Sequence, residues 1–147
     1  MKAVVQRVRD ASVTVDGLQV GVISKGLLVY LGVGKDDTVK DALWLAEKIT
    51  GLRIFQDTEG RMNLSVLDIG GGILSISQFT LLADTRKGKR PSYGNAADPA
   101  MAESLYEYFK ALVGKLVNQS ASGVFGAEMQ VAYVNEGPVT ILLDTKN

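Results

Sequence analysis

Leu27-Leu28-Val29-Tyr30-Leu31-Gly32-Val33 is apolar almost without interruption. A strand with one wet face alternates, so an unbroken run of this length reads as a central strand covered on both sides. Ile73-Leu74-Ser75-Ile76 has the length and residue types of a second buried strand. Such strands need covering layers, and from Asp36 the period changes to supply one. Val39, Ala42, Leu43, Ala46, Ile49 and Leu52 fall at helical spacing, with Asp36 or Asp37 available as N-cap. Trp44 and Leu45 widen that apolar face, toward either deep burial or contact with another subunit. Asp98-Pro99 starts a second helix with a capping carboxylate and a proline at the first helical position. Its buried stripe is predicted as Met101, Leu105, Tyr108, Phe109, Leu112 and Leu116, with Glu107 and Lys110 paired outside and an end near Asn118. Two helices over buried strands make an α/β fold, and 147 residues suit a single domain, residues 1–147, with one core.

The other segments read as β-structure and turns. Residues 3–5, Val8 and residues 12–15 are strand-like, and Asp16-Gly17 turns the chain into a hairpin with residues 18–23. Within this hairpin Gln6 and Arg7 read as a solvent-facing polar pair. Residues 53–56 form a short strand before a turn at 57–60, and residues 120–123 read as a loop. Residues 128–134 and 139–143 read as two strands joined by Asn135-Glu136-Gly137-Pro138. X-Pro bonds are cis in only about 5–6% of cases in folded proteins, so the residues by themselves indicate a trans turn there.

Composition narrows the chemistry more than the fold. The chain has no cysteine and no histidine, which removes disulfides, the usual Cys/His zinc sites, a thiolate nucleophile and any Ser-His-Asp triad. Catalysis by such a chain falls to carboxylates, lysine, hydroxyls, main-chain dipoles or the substrate itself; neither a metal nor a cofactor is expected. Lys plus Arg and Asp plus Glu number sixteen each, so no whole-molecule field draws in a polyanion and nucleic-acid contact has to be local. No signal-peptide pattern and no membrane-length apolar run is present in the sequence, and a cytoplasmic location is the expectation.

Two stretches carry candidate function. In Ser77-Gln78-Phe79-Thr80-Leu81 the alternation slips by one: Leu74 and Ile76 share one face, whereas Phe79 and Leu81 fall in the other register. A bulge or a strand end accounts for the slip, and either one frees N–H groups beside hydroxyls. After Leu82 the chain turns polar, and Arg86, Lys87, Lys89 and Arg90 crowd into five positions. That segment reads either as a phosphate-binding loop or as a solvated one.

Taken with Asn135-Glu136-Gly137-Pro138-Val139-Thr140, the Ser77–Leu81 stretch resembles the D-aminoacyl-tRNA deacylases, proofreading enzymes that remove D-amino acids wrongly esterified to tRNA. The likeness runs essentially end to end, through Gln6-Arg7-Val8, Gly51-Leu52-Arg53-Ile54-Phe55, Met62-Asn63-Leu64, Arg90-Pro91-Ser92 and Met129-Gln130-Val131. It implies a β-barrel-like mixed sheet with two main helices packed on it, assembled as a homodimer. It implies that Gly137-Pro138 is cis and enters the other subunit's active site, where its carbonyls fill the space an L side chain would need; glycine would not be refused. It implies main-chain donors around Phe79 and Thr80, with Ser77 and Thr80 positioning and Gln78 orienting the motif or the substrate. Met129 would pack near the terminal adenine and Arg7 would support the Gly-Pro segment. The 2′-OH of the tRNA's terminal adenosine, rather than a side-chain nucleophile, would assist the attack.

Two other classes remain open at this point. A non-catalytic tRNA- or RNA-binding module would use Arg86, Lys87, Lys89 and Arg90 on phosphates. A general small-ester hydrolase lacks a visible nucleophile–base pair.

Overall fold

Eight strands and two helices account for most of the chain in the computed structural model, which describes all 147 residues. In order these are β1 (Lys2–Val15), β2 (Leu18–Ile23), β3 (Gly26–Gly32), α1 (Val39–Gly51), β4 (Phe55–Gln56), β5 (Met62–Leu64) and β6 (Gly72–Ser77). A 3-10 turn (Phe79–Leu82), α2 (Pro99–Leu116), β7 (Gln119–Ser122) and β8 (Gln130–Asp144) follow. β4 and β5 pair separately as a small antiparallel ribbon.

β1 organises the large sheet. Along one edge it pairs antiparallel with β8; along the other it pairs first with β3 and then, past a bend, with β2. β6 and β7 extend the sheet in parallel from β3. β2 curls toward β7, where the Ser24 N–H donates to Gln119 Oε1 at 3.2 Å, so the mixed sheet nearly closes into a barrel. Asp16 and Gly17 both have positive φ, 49° and 78°, the paired values of a two-residue hairpin turn. Between Val8 and Ala11 β1 carries one residue more than β8. That bulge lets Val8, Ala11 and Val13 face the same side despite their numbering.

The apolar residues divide into two clusters rather than the single core expected. Val8, Ala11, Val13, Ile23, Leu28, Leu74 and Ile76 fill the barrel. Ala3, Val5, Leu27, Val29, Leu31 and Ile73 face outward onto α1 and α2. The unbroken run in β3 follows directly, since Leu28 points into the barrel while its neighbours meet the helices.

Both helices are where periodicity puts them, with corrected details. α1 is capped by Thr38, not Asp36 or Asp37, in a reciprocal box with Asp41. Asp37 is buried and accepts from the Met1 ammonium and from the Gly34 N–H, each at 2.6 Å. Leu45 joins Ala42, Ala46 and Ile49 inside, whereas Val39, Leu43 and Trp44 are exposed. α2 is capped by Asp98, whose Oδ1 accepts from the Met101 N–H at 3.1 Å, and Lys110 pairs with Glu107 at 3.0 Å. Its buried face is Ala102, Leu105, Tyr106, Phe109 and Val113; Tyr108 and Leu116 lie outside. Residues 120–122 belong to β7 rather than to a loop.

Candidate active site

The slip at Ser77-Gln78 is a strand end. β6 stops at Ser77, the Gln78 N–H donates to the Leu31 carbonyl at 2.8 Å, and the chain tightens into the 3-10 turn. Within this turn Leu81 N–H reaches Gln78 O and Ala83 N–H reaches Thr80 O. The N–H groups of Phe79 and Thr80 come before any such partner and find no acceptor in the protein, as the first donors of a helical turn do. The Gln78 carboxamide donates to the Thr80 hydroxyl, and no carboxylate bonds to it. The site therefore offers a pair of main-chain donors and no nucleophile–base pair.

Beside this strand end lies a cavity of about 490 Å³. Ile76, Ser77, Gln78 and Phe79 form one wall, Ala97 just before α2 with Pro99 and Ala102 at its start another, and Phe125, Met129 and Val131 a third. Apolar walls around a few polar groups are the usual make-up of a small-molecule pocket. Ser77, Gln78, Phe79 and Met129, all singled out from sequence, thus meet here; Thr80 is not on the wall and is reached through Gln78. Phe125 and the small residues of α2 escaped sequence reasoning, because nothing local tells a pocket wall from core. Tyr106 braces β6 from below, its hydroxyl donating to the Ser75 carbonyl at 2.8 Å. Burial, with the Glu107 charge beside it, pushes that phenol well above its ordinary range.

Asn135-Glu136-Gly137-Pro138 does not join two strands; it is an excursion inside β8. Gln6 pairs with Thr140 and Val8 with Asn135, so residues 136–139 bulge out opposite Arg7 alone. The Gly137-Pro138 bond is cis, against the trans reading from residues alone. Arg7 is buried rather than solvent-facing. Its Nη1 donates to the Ile54 carbonyl at 2.7 Å and its Nε to the Glu136 carbonyl at 3.2 Å. Asn135 closes the base of the excursion, donating to Arg7 O at 2.9 Å and to Val139 O at 3.0 Å; Gln6 donates to Thr140 Oγ1 at 3.1 Å. Sequence reasoning passed over Asn135 as ordinary turn chemistry, since its partners are brought close only by the β1–β8 pairing. Gly137 has φ 122°, and a Cβ there would lie 2.9 Å from Arg7 Nη2. Gly137 and Pro138 are exposed and do not line the cavity, so one chain does not bring the two motifs together.

The basic stretch is a tethered loop. Asp84 and Ser92 exchange two main-chain hydrogen bonds, 2.8 and 2.9 Å. Arg86 folds back onto Asp84, with Nη2 2.6 Å from Oδ2, and holds that carboxyl down to about 2. Its charge is thereby neutralised, whereas Lys87, Lys89 and Arg90 are exposed and make no ion pair. No three His, Cys, Asp or Glu residues lie close enough to hold a metal ion.

The fold is thus a nearly closed barrel carrying two helices, with two free main-chain donors at a strand end that lines an apolar cavity. Residues 4–144 match the family described as D-Tyr-tRNA(Tyr) deacylase. Curated proteins named D-aminoacyl-tRNA deacylase are similar over nearly the whole chain. That of Opitutus terrae is 59% identical, covering 99% of this chain and 97% of its own; that of Geobacter sulfurreducens is 54% identical, covering 100% and 97%. Among solved structures, "c-Myc DNA Unwinding Element Binding Protein" superposes with a TM-score of 0.93 at 42% identity, covering 99% of both chains. A probable eukaryotic D-amino acid tRNA deacylase superposes at 0.83 with 17% identity over 97% of each, which speaks for the fold alone. The chain belongs to the D-Tyr-tRNA(Tyr) deacylase family. Its reaction is hydrolysis of the ester that links a D-amino acid to tRNA, an editing step.

Proposed function

We propose that the active site is the cavity beside Phe79, that it is completed by a second copy of the chain, and that it selects against L-amino acids by obstruction. The observation that carries this reading is the pair of N–H groups on Phe79 and Thr80, left without acceptors at a strand end whose Ser77, Gln78 and Phe79 line an apolar cavity. Such donors stabilise the oxyanion that forms when water adds to an ester carbonyl. Water attacks the carbonyl carbon, the bond to the ribose oxygen breaks, and that oxygen takes up a proton; free amino acid and tRNA leave. The 2′-OH next to the ester serves as the relay that orients the water, in keeping with a Thr80 hydroxyl that has no base. Ser77 and Thr80 position the substrate, Gln78 fixes the Thr80 hydroxyl, and Met129 meets the terminal adenine. No cofactor or metal takes part.

Gly137 and Pro138 are exposed and held rigidly by Arg7 and Asn135, yet lie off their own cavity; a second copy is the natural recipient. β8 supports that assembly. It pairs only with β1 and leaves a long edge bearing Leu142, 75% exposed, a surface suited to association. Carbonyls of the inserted segment would occupy the space of an L side chain and leave room for D residues and for glycine, making glycyl-tRNA a second substrate. Lys87, Lys89 and Arg90 contact phosphates of the tRNA end, while Arg86 shapes the loop. No helix is long and apolar enough to cross a membrane, and a cytoplasmic location suits an aminoacyl-tRNA substrate.

The test is release of D-tyrosine and L-tyrosine from matched charged tRNA with a metal chelator present. Rapid loss of the D ester alone supports the reading, and inertness toward both removes it.

A further inference from the structure

Phe79 and Tyr93 meet edge to face, ring centroids 5.0 Å apart at 68°. Both rings are open to solvent, 54% and 39% exposed. Phe79 is also a wall of the cavity. Tyr93 directly follows Ser92, the residue whose main chain pins the basic loop to Asp84. Leading away from the cavity, the surface therefore runs from Phe79 to Tyr93 and on to Lys87, Lys89 and Arg90. The chain as a whole carries no net charge, so these three unpaired cations make a local field rather than part of a general one. Exposed aromatic rings beside free cations are how proteins hold unpaired nucleotides: bases stack on the rings and phosphates meet the cations.

We propose that Tyr93, with Phe79, is a stacking platform for the unpaired nucleotides preceding the esterified one, and that the strand leaves the cavity over these rings toward Lys87, Lys89 and Arg90. The proposal rests on the reading of the cavity as the ester site. It makes Tyr93 a binding residue for tRNA that does not itself line the ester cavity. The strand end and the amino-acid end are then read by separate surfaces: cavity donors hold the carbonyl, while the platform sets where the terminal nucleotide lies. Stacking does not distinguish one base from another, so the track suits every tRNA that shares the same single-stranded end.

The experiment compares D-tyrosyl-tRNA with the D-tyrosyl ester of adenosine, which lacks every upstream nucleotide, in wild type, Tyr93→Ala and Tyr93→Trp. Tyr93→Ala is expected to raise KM for the tRNA ester about tenfold more than for the nucleoside ester, with kcat for the tRNA ester little altered and Tyr93→Trp restoring KM. A combined Lys87→Ala/Lys89→Ala/Arg90→Ala variant is expected to flatten the dependence of KM on salt for the tRNA ester alone. Equal losses on both esters would make Tyr93 a prop for Phe79 and overturn the platform, as would no loss on either. Wild-type protein inert toward both esters would instead overturn the reading of the cavity, and the platform with it.

Discussion

Replacing Arg7 with methionine keeps much of the side-chain volume and removes the guanidinium, whose two bonds tie the Gly137 excursion to the body of the protein. Nη1 donates to the carbonyl of buried Ile54 at 2.7 Å and Nε to that of Glu136 at 3.2 Å. A hydrogen bond from a charged donor contributes about 1.5–3 kcal/mol, and a buried acceptor left bare forfeits the full amount. Ile54 O falls in the second group, whereas Glu136, half-buried, regains water. The summed loss is then roughly 3 kcal/mol, or about 6–12 °C in Tm for a chain of this size. Urea unfolding at fixed protein concentration measures it, with an unchanged m value showing that the variant unfolds from a native-like state. Hydrolysis of L-tyrosyl-tRNA relative to the D ester measures the consequence. With the excursion loosened, that ratio is expected to rise about tenfold, equivalent to about 1.4 kcal/mol of obstruction. Arg7→Lys recovers only part of both effects, because a single ammonium does not span two carbonyls as a planar fork does. A loss below 1 kcal/mol together with an unaltered L-to-D ratio would refute the reasoning.

Gly137→Ala puts a Cβ 2.9 Å from Arg7 Nη2 at φ 122°, at a cost of about 1–3 kcal/mol; a folded variant that still refused L esters would strip the segment of its selecting role. Thr80→Ala removes one hydrogen bond from Gln78 and is expected to slow turnover less than about tenfold, measured by single-turnover release of D-tyrosine. A fall of about 10⁴-fold or more would make Thr80 the nucleophile. Burial, followed by the Tyr133 phenol beside it, pushes Tyr30 up to about 12. Below pH 10 both states keep that proton; between 10 and about 12 the unfolded chain releases it first, so the contribution is lost as pH rises through that window. Urea midpoints at pH 9 and 11 are expected to fall less in Tyr30→Phe than in wild type, and parallel falls would contradict the assignment.

Most of the fold was legible wherever one local pattern decided it. The unbroken run in β3, the Asp16-Gly17 turn and the Asp98-Pro99 start of α2 each need only neighbours in sequence. Errors arose where distant pairing overrode local chemistry. Arg7 looks like a surface residue until β8 lies across β1, and Thr38 displaces Asp37 as a cap because Asp37 is claimed by the Met1 ammonium. Residues 128–143 looked like two strands, since nothing local shows that both halves pair with the same neighbour. β7 was missed because Gln119-Ser120-Ala121-Ser122 has no apolar signature; its parallel pairing with β6 makes it a strand. At the site, the slip at Ser77-Gln78 was visible as broken alternation, while the cavity walls from α2 and Phe125 were not, since only the barrel's closure assembles them.

The free donors at the end of β6 belong to the main chain, and every residue except proline supplies the same N–H at positions 79 and 80. Exchanging a side chain there displaces or crowds the donors but does not delete them. Errors in the gene and oxidants in the cell, which readily disable a catalytic cysteine or histidine, find no equivalent target at this strand end. On the proposed reading of the cavity, the feature that guards translation against wrong-handed amino acids is thereby shielded from the ordinary ways in which an enzyme loses its working parts.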